Sequence, residues 1–385
     1  MAPVKTVARM RKIMPAMGIT RIANVTGLDR VGIPVTTVCR PNSRSIAVAQ
    51  GKGIDLAAAE ASGLMEAIET YHAERIDLPL KYASFEELAY THEIVNVERL
   101  PQLKDSLYHP CLPLLWIEGR DLISGAGTWL PFELVHTNYA DPMPPGSGCF
   151  FASSNGLASG NQLLEAISHG ICEVVERDAT ALWYQRSDHE KGSRRIQLES
   201  IRDPNCRALL DKYEKADIAV AVWNVTTDVS LPAFYCWVME RGGQERLLER
   251  PTVGAGCHPV REVALSRALT EAAQERLTLI TGSRDDLDRD DYHGMSLDDV
   301  FEVRPEQDME TTPSFPSDTI SADVERQLGQ LEAASFEQVF VIDLTKYDLF
   351  DIPVARVIIP GLEGLADDPC YVPGARAQAA RIEAS

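Results

Sequence analysis

Alternating apolar and polar residues mark several segments of the chain as β-strands. The segments with this period of two are IAVAVWNV (218–225), PAFYCWVM (232–239), QVFVIDL (338–344) and PVARVII (353–359). Stretches with the 3.6-residue spacing of helices lie between them. The pattern therefore predicts an α/β fold of mixed sheets with packed helices.

The turn residues predict how some of these elements are connected. LLWIEGRDLISGAGTWLPF (114–132) contains two apolar stretches separated by Ser-Gly-Ala-Gly, which suits a tight turn and predicts a hairpin. DPMPPGSG (141–148) is typical of a loop. The segment 283–317, with its aspartate cluster, is interpreted as a solvated connector in preference to a lid.

Two segments share a pattern of a glycine-containing loop, a helix and an ExxE pair. In GKGIDLAAAEASGLMEAIETY (51–71), Gly53 precedes Glu66 and Glu69 by 13 and 16 residues. In SNGLASGNQLLEAISHGICEVVERDA (154–179), Gly160 precedes Glu173 and Glu176 by the same intervals. We interpret this as a weak internal repeat.

A third stretch, GAGCHPVREVALSRALTEAAQERL (254–277), keeps the pattern with one acid replaced. It passes from a glycine-containing loop into a helix that carries Glu271 and Gln274 as ExxQ.

The paired acids indicate a cation site. Carboxylates three residues apart project from neighbouring turns of one helix face, and Glu165 aligns with Glu176 at about 100° per residue. If the helices pack together, five acids converge: Glu66, Glu69, Glu165, Glu173 and Glu176. Such a cluster repels itself unless it is neutralised. Because Mg²⁺ takes one or two carboxylates together with phosphate oxygens, a Mg-nucleotide site is favoured over a protein-only cage.

The candidates for phosphate contact are Lys52, Arg177, Arg267 and Arg284.

Two plainer interpretations compete with this site. One ExxE on a helix is usually a solvated face, but two copies flanked by small and apolar residues favour buried acids. His169 and Cys172 share a face with Glu165 and Glu176, and we interpret them as a packed histidine and a buried thiol rather than a metal or nucleophile pair.

Composition narrows the function further. The 385 residues include 57 acidic and 37 basic ones, for a formal charge of -20, which disfavours nucleic-acid and anionic-membrane partners. No apolar run approaches the length of a membrane span, so a cytoplasmic location is expected.

The eight cysteines have no zinc-type spacing and are expected to be reduced and mostly buried. Neither common phosphate-loop fingerprint is present.

The three acidic helix segments, the SRDD that follows the third and PVARVIIPGLEG together resemble the YcaO family, from about Thr6 to Gly364. The resemblance implies a YcaO-type fold in one domain over residues 1–385. Residues 1–50 would contribute to the nucleotide site, residues 51–364 would form the core and residues 365–385 a tail. It also implies ATP and Mg²⁺ as cofactors, and activation of a peptide backbone amide by O-phosphorylation.

Residue by residue, the resemblance assigns the acids and their neighbours. Glu66 and Glu69 match the family's first acidic pair, and Glu165, Glu173 and Glu176 match its second set. Asn161 and Arg177 match nucleotide contacts, as does Arg267, and Thr6 matches a small hydroxyl residue near the N-terminus. No side chain is assigned as catalytic.

Three functions remain open at this stage. Thioamide formation with an external sulfur donor is favoured, because GITRIANVTGLDRVGIPV (18–35) is similar to members that work with a TfuA-type partner, and because the proline-rich tail common in ring-forming members is lacking. The alternatives are an azoline-forming cyclodehydratase and, from another class, a non-catalytic accessory protein in ribosomal-protein methylthiolation. No separate leader-binding module is evident, so we expect a partner to deliver the peptide. A homodimer is the default expectation.

Overall fold

The structure is a computed structural model that describes residues 1–241, 247–284, 287, 292, 304–366 and 368–383. The strands are β1 (Arg21–Asn24), β2 (Val35–Cys39), β3 (Val48–Lys52), β4 (Leu80–Ala83), β5 (Leu114–Asp121), β6 (Gly127–Pro131), β7 (Leu157–Ser159), β8 (Ile218–Asn224), β9 (Ala233–Glu240), β10 (Thr252–Cys257), β11 (Phe340–Asp343) and β12 (Val354–Ile358). The α-helices in this part of the chain are α1 (Pro3–Met10), α2 (Leu56–Ala73), α3 (Phe85–Ala89), α4 (Leu163–Gln185), α5 (Asp188–Ser193), α6 (Pro204–Lys215), α7 (Arg261–Thr281), α8 (Ile320–Ala333) and α9 (Ala375–Glu383).

The elements form two compact units. Unit 1 comprises Met1–Asn42, Ile46–Ala67 and Arg186–Pro316, and unit 2 comprises Ser43–Ser45, Ile68–Gln185 and Ser317–Ser385. The assignment of one domain to the whole chain stays a prediction.

Unit 1 contains two antiparallel sheets of three strands, in the orders β1-β2-β3 and β10-β9-β8. Helix α6 begins after Asp203, whose carboxylate accepts a hydrogen bond from the Cys206 N–H at 2.8 Å, and α7 ends before Gly282 in the left-handed region. The core of this unit lies where α6 and α7 pack on the second sheet, around Leu209, Tyr213, Val222, Phe234, Leu265 and Leu269. The Tyr213 hydroxyl donates to the Leu269 carbonyl at 2.7 Å, so this buried polar group is satisfied.

Unit 2 is built on a six-stranded sheet in the order β4-β5-β11-β12-β7, with β6 paired to β5. Helix α4 packs closely on β12, because Gly170 leaves room for the side chain of Val357. This packing holds the helix that carries Glu165, Glu173 and Glu176 against the sheet of unit 2.

The elements predicted from alternation are confirmed. The four period-two segments correspond to β8, β9, β11 and β12, and the 114–132 segment is the β5–β6 hairpin. Residues 141–148 contain neither helix nor strand. The 283–317 segment lies partly outside the described residues, so both interpretations of it, as a connector and as a lid, stay predictions. No helix among those described is long and apolar enough to cross a bilayer.

The first two glycine-containing loops connect β3 to α2 and β7 to α4. The loop predicted for the third segment is wrong at its glycines, because Gly254 and Gly256 lie within β10, which precedes α7. The equivalence of the three segments as an internal repeat stays a prediction.

Glycines let two strands of unit 1 lie against helix backbone. A Cβ on Gly254 would overlap the Ala268 carbonyl and the Ala272 amide of α7, and a Cβ on Gly51 would overlap the Ala59 carbonyl of α2. Only glycine allows this approach of strand to helix.

We expect Gly254→Ala to destabilise the protein by about 1–3 kcal/mol or more, because the added methyl group meets rigid backbone. Gly329→Ala is the matched control, since Gly329 lies within α8 with no heavy atom near its Cβ position. That change should instead stabilise by about 0.5–1 kcal/mol. Urea unfolding of both variants checks this, and equal effects would contradict it.

A buried ion network holds the 18–35 segment to α7. The Arg276 guanidinium bonds Asp29 at 2.7 and 3.2 Å and also bonds Glu240, and all three side chains are almost fully buried. The two acids raise the pKa of Arg276 against the opposing effect of its burial.

Arg276→Met should cost about 3–5 kcal/mol of unfolding free energy, because it leaves two buried carboxylates without their cation. The exposed Arg21, changed to Met, should stay within about 0.5 kcal/mol of the wild type. Chemical denaturation distinguishes the two, and a small effect at Arg276 would show that the network is dispensable.

Candidate active site

Glu66 is the central acid of unit 1. It lies partly buried on α2 and accepts a hydrogen bond from the Gln50 N–H of β3 at 3.3 Å. Burial raises the pKa of Glu66 to about 7, although the positive charges of Arg284 and Lys52 and the Gln50 bond act in the opposite direction. A carboxylate that ionises so reluctantly fits a site where a cation is to be bound.

The ExxQ pair of α7 contacts the same strand. Lys52 forms an ion pair with Glu271, and Gln274 donates from Nε2 to the Gln50 carbonyl at 2.8 Å. The Ala255 N–H donates to the other Glu271 oxygen at 3.3 Å. The structure therefore brings together Glu66, Lys52, Arg284 and the two ExxQ residues.

Two residues of this cluster were missed by the sequence patterns. Glu275, one turn after Glu271, accepts from the Val253 N–H and pairs with Arg250 at 3.0 Å, and burial raises its pKa. Gln50 links β3 to α7 through both its carbonyl and its side chain. The position of Glu275 four residues after Glu271 was an available signal, whereas nothing in the local pattern marks Gln50.

Two further candidates lie elsewhere in unit 1. Thr6 is buried on α1, and Arg267 lies on α7 beside Gly256 of β10. Their role as nucleotide contacts stays a prediction.

In unit 2, Glu69 is held against the strand that leads into α4. One of its carboxylate oxygens accepts both the N–H and the hydroxyl of Ser159, at 2.8 and 2.7 Å. Asn161, two residues later, donates its N–H to Glu165 at 2.8 Å and its side-chain amide at 3.3 Å. The loop before α4 thus orients Glu69 and Glu165 together.

The remaining acids lie further along α4. Glu176 is buried, with Arg177 at 4.0 Å from its carboxylate, and Glu173 is close enough for its charge to act on the buried Arg356. Cys172 is a buried thiol that accepts from the Gln327 side chain at 3.0 Å, as expected for a packed residue. The convergence of all five acids stays a prediction, because Glu66 belongs to unit 1 and the other four to unit 2.

The donor set fits Mg²⁺ better than a softer metal. It consists of carboxylate oxygens, which are ligands that hard cations prefer. In the described chain, no three His, Cys, Asp or Glu side chains are arranged to hold a metal ion by themselves. Phosphate oxygens would then complete the coordination, as in other Mg-nucleotide sites.

Comparison with known proteins gives relatives over nearly the whole chain. A protein of Rhizobium leguminosarum bv. trifolii, described as an uncharacterized protein in the tfuA 3' region, is 37% identical over 94% of this chain and 87% of its own length. An uncharacterized protein of Methanothermobacter thermautotrophicus is 32% identical over 95% of both.

Solved structures share the fold. YcaO from Methanopyrus kandleri, bound with AMPPCP and Mg²⁺, has a TM-score of 0.75 at 21% identity and covers 97% of this chain and 94% of its own. A heterocyclase in complex with substrate and cofactor has a TM-score of 0.79 at 22% identity; 96% of this chain matches 54% of that longer one.

The family model described as YcaO cyclodehydratase, ATP- and Mg²⁺-binding, matches residues 50–363. This confirms the predicted family, fold and cofactors. The chain belongs to the YcaO family, whose members bind ATP and Mg²⁺.

Proposed function

We propose that this protein activates a backbone amide of a peptide by ATP-dependent O-phosphorylation and installs a thioamide, using an external sulfur donor and a TfuA-like partner. The observation that carries the proposal is the relative from the tfuA 3' region, which matches 94% of the chain at 37% identity. The oriented acids of α2 and α4 supply the chemical basis.

In this reaction a sulfur nucleophile adds to the amide carbonyl, the resulting oxyanion is phosphorylated at the expense of ATP, and phosphate leaves. Catalysis of phosphoryl transfer depends mainly on positioning and charge. The carboxylates of Glu66, Glu69, Glu165, Glu173 and Glu176 would hold Mg²⁺ with the triphosphate.

Backbone N–H groups restrict how these carboxylates can turn. Gln50 donates to Glu66, Ser159 to Glu69 and Asn161 to Glu165, so each acid keeps one orientation before a cation arrives. Partners of this kind usually tune metal affinity. Arg177, Arg284 and Lys52 supply positive charge for phosphate oxygens, with Asn161, Arg267 and Thr6 as further nucleotide contacts.

Azoline formation is the second candidate. The cyclodehydratase description of the family model and the fold shared with a heterocyclase support it. In that reaction the nucleophile is a Cys, Ser or Thr side chain of the substrate itself.

A non-catalytic accessory role in ribosomal-protein methylthiolation is the third candidate. The cytoplasmic location and the homodimer stay predictions.

A reconstitution with peptide, partner protein, ATP, MgCl₂ and sulfide separates these functions by mass spectrometry. The peptide and partner are taken from the products of neighbouring genes. We expect a mass gain equal to the exchange of one oxygen for sulfur, with one phosphate released per thioamide. Glu173→Gln should abolish both, because it removes a cation ligand, whereas the exposed Glu332→Gln should not.

Other outcomes of this experiment identify the competing functions. Loss of one water from a Cys-, Ser- or Thr-containing peptide without added sulfide would establish azoline formation. If Glu173→Gln restores cellular function as well as the wild type and no phosphate is released, the accessory role is correct.

Glu66→Gln tests the cation site through stability. The folded-state pKa of about 7 lies above the ordinary value of 4.5, so ionisation of Glu66 costs stability progressively as the pH rises through this window. In EDTA, the variant should therefore match the wild type at acid pH and melt at a higher temperature at pH 8. With MgATP the order should reverse, because only the wild type gains the cation.

The matched control is Glu60→Gln, on the same helix and paired with Arg11 at 2.9 Å. Glu60→Gln should not melt at a higher temperature than the wild type at pH 8 in EDTA, and MgATP should stabilise it as much as it stabilises the wild type. A Glu66→Gln variant that MgATP stabilises as much as the wild type would remove Glu66 from the cation site.

A further inference from the structure

Arg356, in the middle of β12, has more hydrogen-bond donors than partners. Its Nη2 donates to the Ser153 carbonyl at 2.7 Å, and the side chain is only 2% exposed. Within the described residues, its Nε and Nη1 have no hydrogen-bond partner. Buried donors are nearly always satisfied in proteins, so an arginine left in this state indicates a missing acceptor.

The charge of Arg356 is also poorly compensated. Burial lowers its pKa to about 10, with the neighbouring Tyr139 and Glu173 acting in the opposite direction. The guanidinium is therefore still protonated at neutral pH. Keeping an incompletely paired cation in the interior is costly, and an anion binding there would offset the cost.

His136 adds a second donor of the same kind. Its Nδ1 accepts the Asn138 N–H at 3.1 Å, and burial, with a smaller effect from Arg356, lowers its pKa to about 4. The imidazole is thus neutral with its proton on Nε2. Among the described residues, this buried Nε2 has no acceptor, and the same holds for the hydroxyl of the neighbouring Thr137.

These donors lie next to the acidic loop of unit 2. Arg356 pairs with Leu157 in the β12–β7 register, two residues before the Ser159 that holds Glu69. Glu173 on α4 is near enough to interact with Arg356 electrostatically. The donors therefore lie near acids assigned to the cation site.

We propose that Arg356 and His136 form a binding site for a phosphoryl group, and that they receive the oxygens of the phosphate transferred during amide activation. The unpartnered Nε–H and Nη1–H groups lie on different edges of the guanidinium, so each can donate to a separate anion oxygen, and the His136 Nε2–H supplies a third donor. This inference rests on the proposed function, which it deepens by naming residues for the transferred phosphate.

Binding of inorganic phosphate to the full-length protein with saturating Mg-ADP tests the site directly. Isothermal titration calorimetry should show that Arg356→Met weakens phosphate binding by about ten- to a hundredfold, the range for lost hydrogen bonds to a charged group. Binding of ADP should stay unchanged. Arg356→Lys, which keeps the charge but loses the separate Nε and Nη1 donors, should bind phosphate with an affinity between those of the wild type and Arg356→Met.

The pair His136→Leu and His136→Gln isolates the second donor. Leucine removes the donor, whereas glutamine keeps an N–H donor of similar reach. We expect phosphate affinity to fall with leucine and to recover in part with glutamine. In the wild type, phosphate should also shift the His136 ring signals in NMR spectra.

Thermal melting separates this role from a structural one. If Arg356 binds an anion, Arg356→Met should melt at the same temperature as the wild type or higher, because it removes an incompletely paired buried charge. Unchanged phosphate affinity in Arg356→Met, or a wild type that does not bind phosphate beside Mg-ADP, would overturn the inference. Sulfate competition gives a further check. If sulfate displaces phosphate equally well from the wild type and from Arg356→Met, the bound phosphate is an adventitious ion only, and the inference is overturned.

ATP turnover with and without peptide distinguishes the source of the phosphoryl group. If Arg356→Met slows ATP hydrolysis in the absence of peptide, the site contacts the nucleotide phosphate. If it slows only peptide-dependent turnover, the site contacts the phosphorylated amide. Both results support the site. Phosphate binding through Arg356 in a protein that modifies no peptide would instead contradict the proposed function; it would leave the phosphate site standing and overturn its role in amide activation.

Discussion

The structure depends on hydrogen bonds from strand and loop backbone to glutamates on the neighbouring helices. The N–H groups of Gln50 and Ala255 donate to Glu66 and Glu271 in unit 1, and those of Ser159 and Asn161 donate to Glu69 and Glu165 in unit 2. In unit 1 this contact needs the strand backbone to lie directly on the helix, which Gly51 and Gly254 allow. A short side chain at either glycine would separate the donor from the carboxylate.

This arrangement has an electrostatic cost that a purely structural core would avoid. Burial raises the pKa values of Glu66 and Glu275, while burial lowers that of Arg356. Ionisable groups of both signs are thus held where burial disfavours their charged forms. The Arg276 network shows the contrast, because there two acids bond one arginine and raise its pKa. Buried groups whose charged forms are disfavoured, close to the acidic helices, fit a site that binds cations and phosphate.

Local patterns in the sequence predicted the elements and the acids but not their partners. The β5–β6 hairpin follows from two apolar stretches around a glycine-rich turn, and the acids of α2 and α4 follow from spacing on a helix. Gln50 and Arg356 were missed because their hydrogen-bond partners lie far away in the chain, whereas Glu275 was missed although its spacing from Glu271 was a local signal. Arg356 lies within an apolar strand pattern, so only the fold reveals that its donors lack acceptors among the described residues. Similarly, Glu66 and Glu69 are three residues apart on one helix, yet they belong to different units.

The thiols of the chain bear on the source of sulfur in the proposed reaction. A thiol that relays sulfur must be accessible and readily ionised. Five of the eight cysteines are buried, and burial raises the pKa of Cys149 to about 11 and that of Cys236 further. The exposed Cys111 has its pKa raised by a hydrogen bond to Glu86. The buried thiols and Cys111 are therefore poor candidates for a persulfide carrier, which leaves the exposed Cys370 and the half-buried Cys39 as the accessible thiols. Under the proposed function, the chain activates the carbonyl of the peptide, and the sulfur comes from an external donor.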